Sequence, residues 1–127
     1  MTRPVVQRKR ILVVDDEVAI LRYVSDCLKQ DDYEPILAVN GEEGLALAEK
    51  ETPALVILDI MMPKMDGTEV AMLLKHDVRT KNIPVFFVTA VISPDDQARV
   101  AGNPNPIFAK PVRLQELLTA IQNTINS

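Results

Sequence analysis

Five short apolar runs, each leading into a stretch with helical spacing, constrain this chain more than any other feature of it. Ile11-Leu12-Val13-Val14, Ile36-Leu37-Ala38-Val39, Leu55-Val56-Ile57-Leu58 and Val85-Phe86-Phe87-Val88 are rich in branched or aromatic side chains and lack polar alternation. A shorter fifth run covers Ile107 to Ala109. Such runs suit strands covered on both faces. Between them, apolar residues recur three and four positions apart. Val18, Leu21, Val24 and Leu28 stripe a helix through Gln30, Leu45 and Ala48 one that ends at Lys50, and Val70, Leu73 and Leu74 a third. Ser93-Pro94 is a helix start, with serine as cap and proline in the first turn, for a helix spanning at most Pro94 to Gly102. Leu114, Leu117, Leu118, Ile121 and Ile125 stripe the closing helix.

The breaks between elements are equally plain. Asn40-Gly41, Thr52-Pro53, Pro63 with Asp66-Gly67, Pro84 and Asn103-Pro104-Asn105-Pro106 all punctuate the pattern. Five strand–helix units in alternation imply an α/β fold, a parallel sheet with helices on both faces. The flavodoxin-like, doubly wound order 2-1-3-4-5 is the common solution for five units. It makes strands 1 and 3 neighbours where the winding reverses, and ligands in such sheets sit beyond the carboxyl ends of the strands at that point.

The 127 residues are one domain's worth, which we divide into a basic tail over residues 1–9 and a folded domain over 10–127. Four of the 14 basic residues (Arg3, Arg8, Lys9 and Arg10) fall in the first ten, so the other 10 face 18 acids. A body with that balance repels phosphate backbones, and direct nucleic-acid binding is not expected. One cysteine, Cys27, and one histidine, His76, exclude an intrachain disulfide, a multi-cysteine zinc site and a His-rich metal centre. Cys27 reads as a small apolar helix residue and His76 as a surface residue. No apolar run approaches the length of a membrane span and no signal core opens the chain, so a cytoplasmic location is expected.

Polar groups stand where the chemistry belongs. The first strand ends in Asp15-Asp16, the third in Asp59, the fourth in Thr89 and the fifth in Lys110. Converging carboxylates repel one another without a cation, and a site of oxygen ligands alone favours Mg²⁺. Lys110 adds a positive charge and Thr89 a hydroxyl donor. Metal, cation and donor are the parts that stabilise a phosphoryl group in transfer. With no Cys, Ser or His at a strand end, the nucleophile is a carboxylate, and its product an aspartyl phosphate. An acid after a strand is often only a helix cap, but capping does not account for the pair Asp15-Asp16 together with Asp59. Asp66-Gly67 reads as a turn, and Met61, Met62 and Met65 as loop packing.

Asp15-Asp16, Asp59 with the following Met-Met-Pro and Asp66-Gly67, Thr89-Ala90 and Lys110-Pro111 resemble, in order, the motifs of the receiver domain of two-component response regulators. The resemblance runs from about Arg10 to about Asn126. It implies that Asp59 accepts a phosphoryl group from a histidine kinase or histidine phosphotransfer protein. It further implies that Asp15, Asp16, Asp59 and the backbone carbonyl of Met61 hold Mg²⁺, that Thr89 turns to the phosphoryl group, and that Lys110 pairs with it. The output, through a partner or a further domain, is a conformational switch that assists its own phosphorylation and dephosphorylation.

Two positions depart from the family pattern. Ile107 stands where a switching aromatic is usual, three residues before Lys110, and Phe108 has the opposite parity. Asn-Pro-Asn-Pro replaces the usual short turn. A β-branched residue and two prolines imply a stiff fifth strand, with coupling through Thr89 and the helix after it. Met61 and Val91, two positions beyond Asp59 and Thr89, cannot orient a water, which implies a long-lived phosphoryl group. Two rival readings are disfavoured by the same residues. A receiver-like binding module without phosphate chemistry has no need of all five motifs. A haloacid-dehalogenase-like phosphatase needs an acid where this chain has Met61.

Overall fold

The computed structural model describes residues 8–90 and 105–125. Strand β1 (Arg10–Val14) leads into helix α1 (Val18–Gln30), β2 (Glu34–Ala38) into α2 (Gly41–Glu51), and β3 (Leu55–Asp59) into α3 (Gly67–Lys75). Strand β4 (Val85–Ala90) is followed, further along, by β5 (Ile107–Lys110) and the C-terminal helix α4 (Leu114–Ile125). The helix expected over Pro94 to Gly102, its Ser93 cap, Val91, Asn103-Pro104 and most of the expected basic tail lie outside the described residues.

All strand pairs are parallel, and the sheet order is β2-β1-β3-β4-β5, as expected from the alternation. Strand periodicity divides the core into two layers. Ile11, Val13, Leu55, Ile57, Phe86 and Val88 pack with Leu21, Val24 and Leu28 of α1 and Leu117 and Ile121 of α4. Leu12, Val14, Val56, Leu58, Val85 and Phe87 pack with Ala48 of α2 and Val70 and Leu74 of α3. Each buried Leu, Ile or Phe contributes about 1.5–3 kcal/mol. This is why β3, covered on both faces, is buried at every position.

The edges differ from expectation. Strand β2 was expected over Ile36–Val39, but it starts at Glu34 and ends at Ala38. Pro35 lies within it, opposite Ile11, because an edge strand has a side that needs no ladder donor. Being an edge, it is not covered on both faces: Leu37 is 39% exposed, and Val39, beyond its end, 43%. On the opposite edge, the Phe108 ring lies 5.4 Å from that of Phe86, on the α1–α4 side, while Ile107 faces the other way and is exposed. The parity read from sequence is the parity observed. At the amino end of the sheet, Arg10 ties β1 to α2 by donating to the Glu51 carboxylate and carbonyl, each at 2.6 Å. Among the described residues, no helix is long and apolar enough to cross a membrane.

Candidate functional site

The carboxyl ends of β1, β3 and β5 meet. Asp15 directly follows β1, and its N–H continues the ladder by donating to the Ala38 carbonyl at 3.1 Å. Asp59 is the last residue of β3, and the next N–H, that of Ile60, donates to the Val88 carbonyl at 3.0 Å. Sheet hydrogen bonds thus fix both carboxylates, each on a residue only 2% exposed. Lys110 ends β5 and reaches across β4. Its Nζ lies 3.0 Å from Asp15 Oδ2, 2.9 Å from Glu17 Oε1 and 3.3 Å from Asp59 Oδ2.

The loop after β3 is held just as tightly. Asp66 caps α3, its Oδ1 accepting from the N–H groups of Thr68 and Glu69 at 2.9 and 3.0 Å and from the Thr68 hydroxyl at 2.6 Å. The Asp66-Gly67 pair read as a turn is therefore a cap plus a close approach. Gly67 donates to the Ile60 carbonyl at 3.0 Å, and a Cβ on it would lie 2.4 Å from the Asp59 carbonyl oxygen. Only glycine lets α3 start so near the end of β3.

Burial pushes the Asp59 carboxyl up to about 7, and the negative charge of Asp15 pushes the same way. The charge and hydrogen bond of Lys110, and the Met61 N–H at 3.2 Å, oppose this and do not outweigh it. For Lys110, burial disfavours the ammonium. Hydrogen bonds to Glu17 and Asp15 and the charges of Asp59 and Asp15 outweigh burial, so its pKa lies above the usual lysine value. Lys110 is a permanent cation, while Asp59 is a carboxylate held in an environment that resists its charge.

Asp15, Asp59 and Lys110 come together as expected. Asp16, expected to share the metal, is exposed at the rim. The third acid of the cluster is instead Glu17: one carboxylate oxygen each from Asp15, Glu17 and Asp59 lie within 4.8 Å of one another. Sequence reading missed Glu17 because an acid just before a helix reads as a cap, and its partner Lys110 is 93 residues away. Met61, expected to offer a carbonyl to the metal, meets Asp59 through its N–H. The Thr89 hydroxyl donates to the Ala90 carbonyl at 3.1 Å. His76 is exposed at the end of α3 and half-buried Cys27 lies on α1, both away from these strand ends. Three close carboxylates and a raised Asp59 form a donor set that suits a hard divalent cation, since such an ion relieves the repulsion that burial imposes.

A family model described as the response regulator receiver domain matches residues 11–122. A probable transcriptional regulator, ycf27, of Porphyra purpurea is 38% identical over 122 residues, covering 94% of this chain and 48% of that protein. The polar-differentiation response regulator DivK of Brucella anthropi is 31% identical over 116 residues, covering 91% of this chain and 94% of that protein. The structure of the chemotaxis protein CheY4 of Vibrio cholerae is similar with a TM-score of 0.82 at 29% identity, covering 93% of this chain and 99% of that one. The chain spans about half the length of ycf27-type relatives.

Proposed function

Because the chain belongs to the response regulator receiver domain family, we propose that its site takes a phosphoryl group onto Asp59 and that the chain acts as a signalling switch rather than as an enzyme on other substrates. The observation that carries this is the buried Asp59 carboxylate at the end of β3, 3.3 Å from Lys110 and grouped with two further acids. A carboxylate oxygen of Asp59 attacks phosphorus. The bond from phosphorus to the donor's nitrogen or oxygen breaks, and the leaving group takes the electron pair. Asp15, Asp59, the Met61 carbonyl and Asp16 at the rim are the groups we assign to Mg²⁺, which when bound neutralises charge on the transferring oxygens. Lys110 pairs with the phosphoryl oxygens, and Thr89 releases Ala90 to donate to them.

The donor is a histidine kinase, a histidine phosphotransfer protein or a small acyl phosphate, in the cytoplasm. Residues 10–127 form the receiver unit and residues 1–9 its basic lead. The reader of the switch is a partner or an output domain, and nucleic acid is not bound by this unit.

Acetyl phosphate with Mg²⁺ tests the reading. Intact mass spectrometry should show one added phosphoryl group on wild type and none on Asp59→Asn, and neither should gain it when Mg²⁺ is chelated. Equal incorporation in both proteins ends the assignment. The metal set has its own test by calorimetry. Asp16→Ala should weaken Mg²⁺ binding about tenfold while leaving the melting temperature equal or higher, because one repelling charge is gone. An unchanged affinity with a lowered melting temperature would make Asp16 a structural residue.

A further inference from the structure

Building on the reading of Asp59 as phosphoacceptor, we propose that Glu17 is a positioning residue that holds the Lys110 ammonium in the resting site and competes with the phosphoryl group for it. Of the three carboxylates around Lys110 Nζ, that of Glu17 is nearest, at 2.9 Å. It is also the one free to move: its side chain is 59% exposed, against 3% for Asp15 and 2% for Asp59. Asp15 and Asp59 are further fixed because each Oδ1 accepts a backbone N–H, from Glu17 and Met61 respectively.

Glu17 occupies the N-cap position of α1, yet its side chain makes no capping hydrogen bond, and the first turn of the helix carries no acid. A carboxylate there would ordinarily serve the unpaired N–H groups and the positive end of the helix. Glu17 serves Lys110 instead. Phosphorylation adds negative charge at Asp59 and draws Lys110 toward it. Whatever strength the Glu17 contact has then opposes the phosphorylated state.

Two variants separate contact from field. Glu17→Gln removes the charge. Glu17→Asp keeps it but shortens the reach by one methylene. In the metal-free, unphosphorylated chain, the Lys110 side-chain ¹³Cε resonance should shift in both variants. At saturating Mg²⁺, beryllofluoride, a phosphoryl mimic followed by backbone amide shifts, should bind both variants about three- to fivefold tighter than wild type, the scale of a partly exposed ion pair. Unmoved Lys110 resonances overturn the tether. Tighter binding in Glu17→Gln alone would reduce the effect to a repelled anion and overturn the contact, as would equal or weaker binding in both. Failure of wild type itself to bind beryllofluoride strikes at the phosphoacceptor reading and brings this inference down with it.

Discussion

Asp59→Asn is expected to stabilise the metal-free chain by about 2–4 kcal/mol at pH 8 and by almost nothing near pH 4. The cause is the raised carboxyl, at about 7 in the folded chain against about 4 in an unfolded one. The folded state holds that proton more tightly, so the stability it brings is fully present below the unfolded value. It is lost as pH rises through the folded value. Wild-type stability should therefore fall from pH 5 to pH 8 in chelator, more steeply than that of the asparagine variant. Titrating groups outside the Asp15–Glu17–Asp59–Lys110 cluster are common to both proteins and largely cancel in the difference. Urea titrations at four pH values measure it directly. Parallel pH profiles would mean that Asp59 is relieved of its burial and of Asp15 by something other than protonation. Adding Mg²⁺ should flatten the wild-type profile and leave that of the variant nearly unchanged.

Gly67→Ala is expected to cost about 3 kcal/mol and to impair phosphoryl uptake in the fraction that folds. In an ordinary helix start, alanine would be the better residue. Here its Cβ would sit 2.4 Å from the Asp59 carbonyl oxygen and 3.0 Å from the Ile60 Cα, both backbone atoms with sheet or helix-start contacts. Neither can swing aside as a flexible side chain would. Either α3 retreats, or the backbone of Asp59 moves. Chemical denaturation reads the first cost and acetyl phosphate uptake the second. A variant with wild-type stability and uptake would show slack in this loop that the Asp66 cap and the Gly67–Ile60 hydrogen bond argue against.

Most of this architecture was legible because the strands report their own burial. A run such as Leu55–Leu58 fits only a strand covered on both faces, and the α1 stripe placed that helix at Val18–Gln30, as observed. The edge strand β2 was displaced because apolar continuity is the wrong guide where one side of the strand faces water. Pro35, a breaker elsewhere, is harmless there. In the site, Asp15, Asp59 and Lys110 were legible because each ends an apolar run. Glu17 and Gly67 were not, since each has its role through an atom distant in sequence: the Lys110 ammonium for one, the Asp59 carbonyl for the other. No local pattern encodes either contact. The Ile107–Phe108 parity, by contrast, follows from strand alternation alone.

One carboxylate, at the end of β3, is expected to become covalently phosphorylated when Mg²⁺ is present. Borohydride reduces an acyl phosphate to the alcohol, which turns a phosphorylated aspartate into homoserine. Peptide mapping after acetyl phosphate, Mg²⁺ and borohydride treatment therefore names the residue. We expect homoserine at position 59 and at none of Asp15, Asp16 or Asp66, with none anywhere when Mg²⁺ is chelated. Homoserine at another aspartate, or phosphate retained on a residue that borohydride does not reduce, such as His76, would contradict the account.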